Sequence, residues 1–434
     1  MEDDYEHRIC VVDSYPGSGK TSYAIQKIND LADDVKVIYI TPYLGEVQRI
    51  IDSCPVRNFV QPDARIGTGS KMRHLIDLVN AGTNIVSTHA LFTNTNDDLI
   101  KGLRNQNYIL FLDEVFQTVE KWNIPERTSS RISSEQLTRQ DMRTLIAKEI
   151  ITVEDDYSIR WLDEDFALSQ YAKLKTLADR GLLYLVGNDL LMWSFPVEVF
   201  RDGIFSKIYI LTHMFEAQLQ SYYYNYFKID YQMYQIIYLP GNSRFAIEKI
   251  ARYPNESLWR NHTQKKIHIE ENHKINRIGD IYYDKHNRAQ TTALSVSWYF
   301  RNKEALPTLK NNIHNYFGNI TKSKANQRLW TCFNANMDDL KGKTASANYH
   351  IPINARATND YGDKTVLAYM VNRYLDPSYN LFFENRGQSI NEDKFALSEI
   401  LQWIFRSAIR NDQDIRIYIP SERMRNLLAN YLNS

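Results

Sequence analysis

A glycine-rich run near the start of the chain, Ser14-Tyr15-Pro16-Gly17-Ser18-Gly19-Lys20-Thr21, constrains the fold more than any other feature. It follows an apolar segment at residues 9–13 and precedes a helical pattern that begins near Ser22. A strand, a glycine loop and a helix in this order are the context that a phosphate-binding loop requires. Glycines let backbone N–H groups turn toward phosphates, and the helix N-terminus adds partial positive charge. The chain is therefore predicted to bind a nucleotide.

Each residue type in this loop has an expected role. The residues predicted to bind the nucleotide are Gly17, Ser18, Gly19, Lys20, Thr21 and Ser22. Lys20 is also a predicted catalytic residue, since its amino group would reach the β- and γ-phosphates, while the Thr21 hydroxyl would ligate Mg²⁺. Ser14 stands where glycine or alanine is usual, and a small-for-small change should be tolerated. The predicted cofactors are ATP and Mg²⁺, with ATP assumed because no adenine-reading glutamine motif precedes the loop.

The bulk properties are those of a soluble two-domain protein. The 434 residues suit two domains, and 43% hydrophobic with 24% charged residues is ordinary for a globular chain. Cys10, Cys54 and Cys332 fit neither a metal site nor a disulfide framework, so a reducing cytoplasm is expected. No apolar run could span a bilayer and the acidic start is no signal peptide, so no membrane partner is predicted.

Charge gives a local rather than a global signal. The formal net charge is zero, so the overall charge does not indicate a nucleic-acid partner. Residues 260–328 nevertheless carry thirteen Lys or Arg against five acids. A basic face there could follow a phosphate backbone, or it could be an ordinary solvated surface, and the sequence favours neither.

The first half of the chain alternates apolar and amphipathic segments. Strands are predicted at 9–13, 35–41, 64–67, 85–87, 108–113 and 207–211, and helices at 21–29, 44–54, 70–81 and 97–105. Such alternation predicts an α/β domain with a parallel sheet. We expect this domain to span residues 1–215, with a helical insertion at about 127–205.

The second half predicts another α/β domain. A tyrosine-rich linker is expected at 216–245, comprising a helix end and a strand, and its aromatics are expected to pack at a domain junction rather than stack on bases. Domain two would span 246–434, with strands at 329–333, 348–352 and 415–419 and helices at 365–374, 394–406 and 423–432.

A second chemical motif ends the apolar segment 108–113. Asp113 and Glu114 follow Tyr108-Ile109-Leu110-Phe111-Leu112 about 90 residues after the phosphate loop. In a phosphate-loop ATPase the first acid at such a strand end holds the Mg²⁺ shell and the second polarises the attacking water. Asp113 is therefore predicted to bind Mg²⁺ and the nucleotide, and Glu114 to be catalytic.

Two further strand ends complete an ordered series. Thr41-Pro42 ends one strand and Thr88-His89 ends another, both between the loop and the acidic pair. In this order the motifs resemble those of the superfamily 2 helicase motor, the family of the DEAD and DEAH helicases, although the acidic motif here reads Asp-Glu-Val-Phe. The resemblance implies two tandem RecA-like P-loop NTPase domains, with Thr41 and Thr88 near a nucleic-acid track. Thr212, at the end of the next strand, would stand in the family's coupling motif.

The second half carries the counterpart motif of the same family. Gln402-Trp403-Ile404-Phe405-Arg406-Ser407-Ala408-Ile409-Arg410 resembles the final helicase motif, which supplies arginine fingers to the nucleotide. The resemblance implies that Gln402 binds the nucleotide and that Arg406 and Arg410 are catalytic. The spacing of four between the arginines, where three is usual, leaves open which is the finger. Residues 354–359, Asn-Ala-Arg-Ala-Thr-Asn, resemble a coupling element of the second domain.

These resemblances imply an ATP-dependent motor of a phage or mobile-element type. The motor would move on nucleic acid, with DNA favoured. Single-stranded or forked DNA and replication or recombination proteins are the expected partners, in a bacterial host cytoplasm. A terminase-type packaging ATPase and a remodelling ATPase driven by a protein partner stay open. The first would cut DNA with Mg²⁺ or Mn²⁺, and the second would respond to protein rather than to nucleic acid.

Overall fold

The structure, a computed structural model, describes every residue except 1–6, 43, 67–68, 94, 123, 127–136, 167–168 and 354–360. The first part of the chain alternates strands and helices as predicted. Its elements are β1 (Ile9–Asp13), α1 (Lys20–Asp30), β2 (Lys36–Thr41), α2 (Leu44–Ser53), α3 (Lys71–Asn80), β3 (Ile85–Thr88), α4 (His89–Phe92), α5 (Asp97–Arg104) and β4 (Tyr108–Asp113). The strand predicted at 64–67 is wrong, because residues 64–66 form a turn and Val60 instead bridges Ile85.

The segment predicted as a helical insertion is mixed in its described residues. Its elements, with the strand that precedes it, are β5 (Val119–Trp122), α6 (Arg139–Ala147), β6 (Ile151–Val153), β7 (Ile159–Trp161), α7 (Ala172–Asp179), β8 (Leu183–Val186), β9 (Asp189–Trp193) and α8 (Glu198–Arg201). The strands form two small antiparallel sheets, β5-β9-β8 and β6-β7. The two-residue turn Gly187-Asn188, with Gly187 at φ 63°, joins β8 to β9 and is a hairpin signal that contradicts a helix.

The chain then returns to the first sheet. β10 (Phe205–Thr212), α9 (Leu219–Tyr226), β11 (Gln232–Leu239) and β12 (Arg244–Lys249) follow the insertion. The seven strands lie in the order β12-β11-β1-β10-β4-β2-β3, and all are parallel except β12, which runs antiparallel to β11. The expected linker at 216–245 thus contains α9, all of β11 and the start of β12. Its tyrosines Tyr222, Tyr223 and Tyr224 are buried in the core, in agreement with the expected packing role.

The remaining residues build a second, smaller sheet. Its elements are α10 (Ser257–Gln264), β13 (Ile267–Ile269), α11 (His273–Asn276), β14 (Tyr282–Tyr283), β15 (Ala289–Gln290), α12 (Val296–Arg301), α13 (Leu306–Asn315), β16 (Arg328–Thr331), α14 (Met337–Leu340), β17 (Val366–Tyr369), α15 (Pro377–Glu384), α16 (Glu392–Ile404), β18 (Ile415–Tyr418) and α17 (Glu422–Asn433). Four parallel strands lie in the order β13-β18-β17-β16, and β14-β15 is a separate hairpin.

Two predicted elements of this domain are wrong. The helix expected at 365–374 contains the central strand β17, whose four residues are buried. A strand covered on both faces is an unbroken apolar run, which periodicity alone does not separate from a buried helix. The strand expected at 348–352 is absent from these described residues. They hold a single 3₁₀ turn, Ala347–Tyr349, and one bridge from His350 to Trp330.

Parallel pairing brings the chemical motifs to one edge of the first sheet. β1 lies between β10 and β11, and Asp13 stands opposite Thr212. Leu211 stands opposite Asp113 on the other side of β10. Since the carboxyl ends of parallel strands share an edge, the phosphate loop, the acidic pair and the end of β10 are neighbours there.

Candidate nucleotide-binding cleft between the two sheets

A cavity of about 360 Å³ lies between the carboxyl edge of the first sheet and the end of α16. It gathers most of the residues predicted from the sequence. Its lining is Pro16, Gly17, Gly19, Lys20, Thr21, Ser22, Pro42, Glu46, Arg49, Asp113, Glu114, His213, Gln402, Phe405, Arg406, Arg410 and Asn411. Among the residues predicted to bind the nucleotide, Ser18 is missing from this lining, and its buried hydroxyl has no hydrogen-bond partner among the described residues.

The loop needs its glycines for two different reasons. Gly17 and Gly19 have φ of 84° and 94°, a region that side-chain-bearing residues rarely adopt. At Gly17 a Cβ would meet open space, so backbone conformation alone selects glycine. At Gly19 a Cβ would also collide with the ring of Phe245 from β12. The loop is thus packed tightly against the edge of the first sheet.

Ser14 has a structural role that explains its place in the loop. Its N–H donates to the Thr212 carbonyl at 3.0 Å, and its hydroxyl accepts the N–H of Ile236 at 2.7 Å. Glycine or alanine could not make the second bond. Ser14 therefore ties the start of the loop to β11 and to the end of β10 together.

The amino group of Lys20 lies inside the loop. Its Nζ donates to the Ser14 carbonyl at 2.6 Å and to the Tyr15 carbonyl at 3.1 Å. Burial lowers the pKa of Lys20, and the carboxylates of Glu114, Asp13 and Asp113 oppose this shift. A cation held by neutral carbonyls in this position is placed to exchange those partners for phosphate oxygens.

The acidic pair is held in an uncommon geometry. Glu114 has φ 66°, its N–H donates to the Leu211 carbonyl at 2.9 Å, and its carboxylate accepts the Thr212 hydroxyl at 3.2 Å. Burial, with the charges of Glu114 and Glu46 beside it, raises the pKa of Asp113 to about 7. Like charges crowded in a buried site favour the binding of a cation or a proton.

The far wall of the cavity comes from the second domain. Gln402 is on α16, and Phe405, Arg406 and Arg410 follow where that helix ends and a short 3₁₀ turn begins. Arg406 is buried and Arg410 is exposed. The fold thus brings both candidate fingers to the cavity that the phosphate loop lines.

Aromatic rings join the loop to this second wall. Tyr15 stacks on Trp259 of α10 with ring centroids 4.8 Å apart and 18° between the planes. Trp259 in turn lies 5.2 Å from Phe405, the residue before Arg406. A continuous chain of rings therefore runs from the phosphate loop to the arginines.

A buried polar cluster spans the same boundary. His213, directly after β10, has its Nε2 3.1 Å from the carboxylate of Glu256, which also accepts the hydroxyl of Tyr431 on α17. The bond to His213 lowers the pKa of Glu256 against the opposing effect of burial. His213 also lines the cavity, so this cluster connects the cavity to α17 of the second domain.

The predicted nucleic-acid residues of the first sheet are placed unevenly. Thr41 is fully buried, so its side chain is not available to a bound strand, and its neighbour Pro42 lines the cavity instead. Thr88 is partly exposed, and His89 contacts the Asp113 carbonyl at 2.9 Å through Nε2. The coupling element expected at 354–359 lies outside the described residues.

Some lining residues escaped the sequence analysis. Glu46 and Arg49 lie three residues apart on α2, are joined at 3.2 Å, and enter the cavity just after Pro42. Their i,i+3 spacing directly after a motif strand was the available signal. Phe405 gave no signal of its own, because a buried aromatic on an apolar helix reads as core.

The cavity offers oxygen ligands of the kind that a divalent cation such as Mg²⁺ prefers. Thr21 and Asp113 both line the cavity, and a hydroxyl with one carboxylate suits Mg²⁺, which usually keeps phosphate and water ligands as well. Among the described residues no group of three or more His, Cys, Asp or Glu side chains is arranged to hold a metal without such help.

No helix in the described part of the chain is long and apolar enough to cross a membrane. The three cysteines are buried, and none of them forms a disulfide within the part of the chain that the structure describes.

Comparison with known proteins identifies the family. Residues 261–432 match the YonV C-terminal Rossmann-like domain, and residues 132–193 match the YonV middle domain. The SPbeta prophage-derived uncharacterized protein YonV of Bacillus subtilis (strain 168) is 36% identical over 434 residues, covering 98% of this chain and 99% of its own. The chain belongs to the YonV family, and the middle domain falls within the insertion of the first sheet.

Comparison with solved structures shows a likeness of fold for this chain. An apo structure of XPD aligns with 98% of this chain and 95% of its own, with a TM-score of 0.51 at 13% identity. A structure of Xpd4 from S. tokodaii covers 98% and 94% with a TM-score of 0.43 at 11% identity, too low to carry an argument. The likeness to XPD is one of fold, and it extends over nearly the whole chain.

Proposed function

We propose that this protein is an ATP-dependent motor on nucleic acid, a superfamily 2 helicase or translocase with two tandem RecA-like domains. The observation that carries the proposal is the shared cavity, which Lys20 and Glu114 line from one domain and Arg406 and Arg410 from the other. A nucleotide in that position would touch both domains, so its hydrolysis could change how they are placed. We propose the domain boundary near residue 250, after β12.

The side chains of the cleft suggest a division of work. Lys20 would bind the β- and γ-phosphates within the loop, and Gln402 would contact the nucleotide from the second domain. Glu114, held by Thr212 at 3.2 Å, would orient and deprotonate the attacking water. A bound Mg²⁺, held by Thr21 and Asp113, would neutralise charge on the phosphates. Arg406 or Arg410 would stabilise the charge that develops on the transferred phosphoryl group.

The proposal that the nucleic acid is DNA rests on the likeness of this chain to other proteins. The fold likeness to XPD, the helicase-like order of motifs and a prophage relative together favour a phage-type DNA motor acting in a bacterial cytoplasm. Single-stranded or forked DNA is the proposed track, with replication or recombination proteins as proposed partners.

Steady-state ATP hydrolysis tests the proposal. The rate would be measured without nucleic acid and with single-stranded DNA, forked DNA, duplex DNA and RNA, with Lys20→Ala as the inactive control. We expect stimulation by DNA, greatest for single-stranded or forked substrates. A rate indifferent to every nucleic acid but raised by a protein partner would replace the motor by a remodelling ATPase. Metal-dependent cutting of DNA would favour a terminase-type enzyme.

A further inference from the structure

A short hairpin in the second domain presents aromatic side chains to solvent. Tyr282 and Tyr283 form β14, and their side chains point to opposite faces because they are consecutive in a strand. The two residues are 63% and 66% exposed. The turn that follows is fixed by Asp284, whose carboxylate accepts the N–H groups of His286 and Arg288 at 2.8 and 3.0 Å. This hairpin is therefore ordered, and each of its faces carries a solvent-exposed tyrosine ring.

The helix that follows the hairpin presents a third ring. Phe300 on α12 is 80% exposed, although the preceding residue, Tyr299, is buried and donates its hydroxyl to the Met370 carbonyl at 2.7 Å. Val296, one turn earlier on the same face, is 64% exposed. An anchored helix that keeps a phenylalanine in water pays a hydration cost, which a stacking partner would remove.

Hairpin and helix are fixed to the same edge of the second sheet. Ile281 donates its N–H to Glu422, at the start of α17 and just beyond β18, at 2.6 Å. Asn372, three residues after β17, donates its side-chain amide to the carbonyls of Thr291 and Ala293 at 2.6 and 2.8 Å. The segment between them is thus held at the carboxyl ends of β17 and β18, the edge at which parallel sheets bind ligands.

Basic side chains flank these rings in the sequence. Lys274, Arg277, Lys285 and Arg301 are exposed and make no ion pair with any described residue. The acid nearest in sequence, Asp284, is already neutralised by Arg288 at 2.9 Å. Exposed rings interleaved with unpaired cations match a polyanion that carries flat apolar groups, which is the chemistry of an unpaired nucleic-acid strand.

We propose that Tyr282, Tyr283 and Phe300, here called the aromatic platform, bind single-stranded DNA by stacking on its bases while the four cations contact its phosphates. The inference rests on the proposed motor function and names the surface of the second domain that would grip the track. Stacking needs bases that are free of a partner strand, so the platform favours single-stranded over duplex DNA.

Fluorescence anisotropy with a labelled oligothymidylate and a matched duplex tests this surface. Phe300→Ala should weaken binding of the single strand about tenfold, within the range of base–aromatic stacking, and leave duplex binding within about twofold. Lys285→Ala with Arg301→Ala should weaken both and flatten the salt dependence, since each lost phosphate contact removes close to one unit of slope. Leu258→Ala, 87% exposed on α10, is the matched control and should bind as the wild type does.

The outcomes separate this inference from the proposed function. If the wild-type protein binds no nucleic acid, the motor proposal fails and the platform fails with it. If the wild type binds single-stranded DNA and Phe300→Ala, with Tyr282→Ala and Tyr283→Ala added, binds it equally well, the platform alone is overturned. The same triple variant would also be sedimented with phosphatidylserine vesicles. If it no longer binds the vesicles but binds DNA as the wild type does, the rings belong to a membrane-binding surface and the platform proposal is overturned. Circular dichroism and thermal unfolding identify any variant that fails to fold.

Discussion

The two walls of the candidate nucleotide cleft differ in how their side chains are held. On the first wall Lys20 donates to two carbonyls, Glu114 accepts from Thr212, and buried Asp13 accepts the N–H groups of Met214 and Phe215 at 2.8 Å. On the second wall Arg410 is exposed and makes no ion pair with the described residues. The first wall is therefore preorganised within its own domain. If the proposed motor function holds, Arg410 on the second wall takes its final position only when the nucleotide is bound.

The largest effect should come from the preorganised wall. Lys20→Ala removes the cation that the loop holds, and we expect ATP hydrolysis to fall by about a thousandfold or more because phosphate charge is then uncompensated. The measurement is a steady-state phosphate-release assay. Full turnover by this variant would remove the nucleotide site from the loop.

The arginines test the second wall. Replacing both Arg406 and Arg410 by alanine should lower kcat by about a thousandfold, the effect of an arginine finger, and spare nucleotide binding. Binding of a fluorescent ATP analogue and turnover would be measured side by side. The single variants then identify the finger. Arg406→Ala should also lower the melting temperature because that side chain is buried, whereas Arg410→Ala should not.

An unchanged rate in the double variant would end the finger hypothesis for both residues. Arg406→Lys and Arg410→Lys serve as the conservative pair, since lysine keeps the charge and loses the planar fork.

A smaller effect concerns charge within the first wall. Because the pKa of Asp113 is about 7 in the folded protein and near 3.9 when unfolded, the folded state binds its proton more tightly. Ionising Asp113 therefore costs stability as pH rises from about 4 to 7, and the cost is present in full above that range. Without nucleotide or Mg²⁺, Asp113→Asn should melt several degrees above the wild type at pH 8, since about 1 kcal/mol already raises the melting temperature by about 2–4 °C in domains of this size. Thermal unfolding at pH 8 and pH 4 measures it, and a gap that fails to shrink at pH 4 would contradict this origin.

The smallest effect separates two serines of the loop. Ser14→Ala leaves the N–H of Ile236 without its partner and should cost about 1 kcal/mol in the free energy of unfolding. Ser18→Ala is the matched control, since its hydroxyl has no partner among the described residues, and it should change stability by less than about 0.5 kcal/mol. Equal losses in chemical denaturation would show that Ser14 has no special structural role.

The first sheet was predicted more accurately than the second for a physical reason. Residues 108–113 match β4 in full, and helices begin or end within about two residues of their predicted bounds, because caps and turns bound each apolar run. β17 was predicted as a helix since Val366-Leu367-Ala368-Tyr369 is apolar throughout and has no period to read. Likewise β11 was assigned to a linker, because its pairing with β1 depends on residues more than 200 positions away.

The sequence by itself determined the local chemistry of this protein. Short-range rules of conformation and residue type account for three features. These are the glycines of the loop at Gly17 and Gly19, the acids that end β4, and the arginines that come after α16. Only the tertiary structure decided which of these residues meet. The cavity joins Lys20 to Arg406 across almost 400 residues. The fold also buries Thr41 and leaves Phe300 in solvent. Pairing of strands and packing of domains are long-range events, and a periodic pattern reports how a segment is buried but not the segment that buries it.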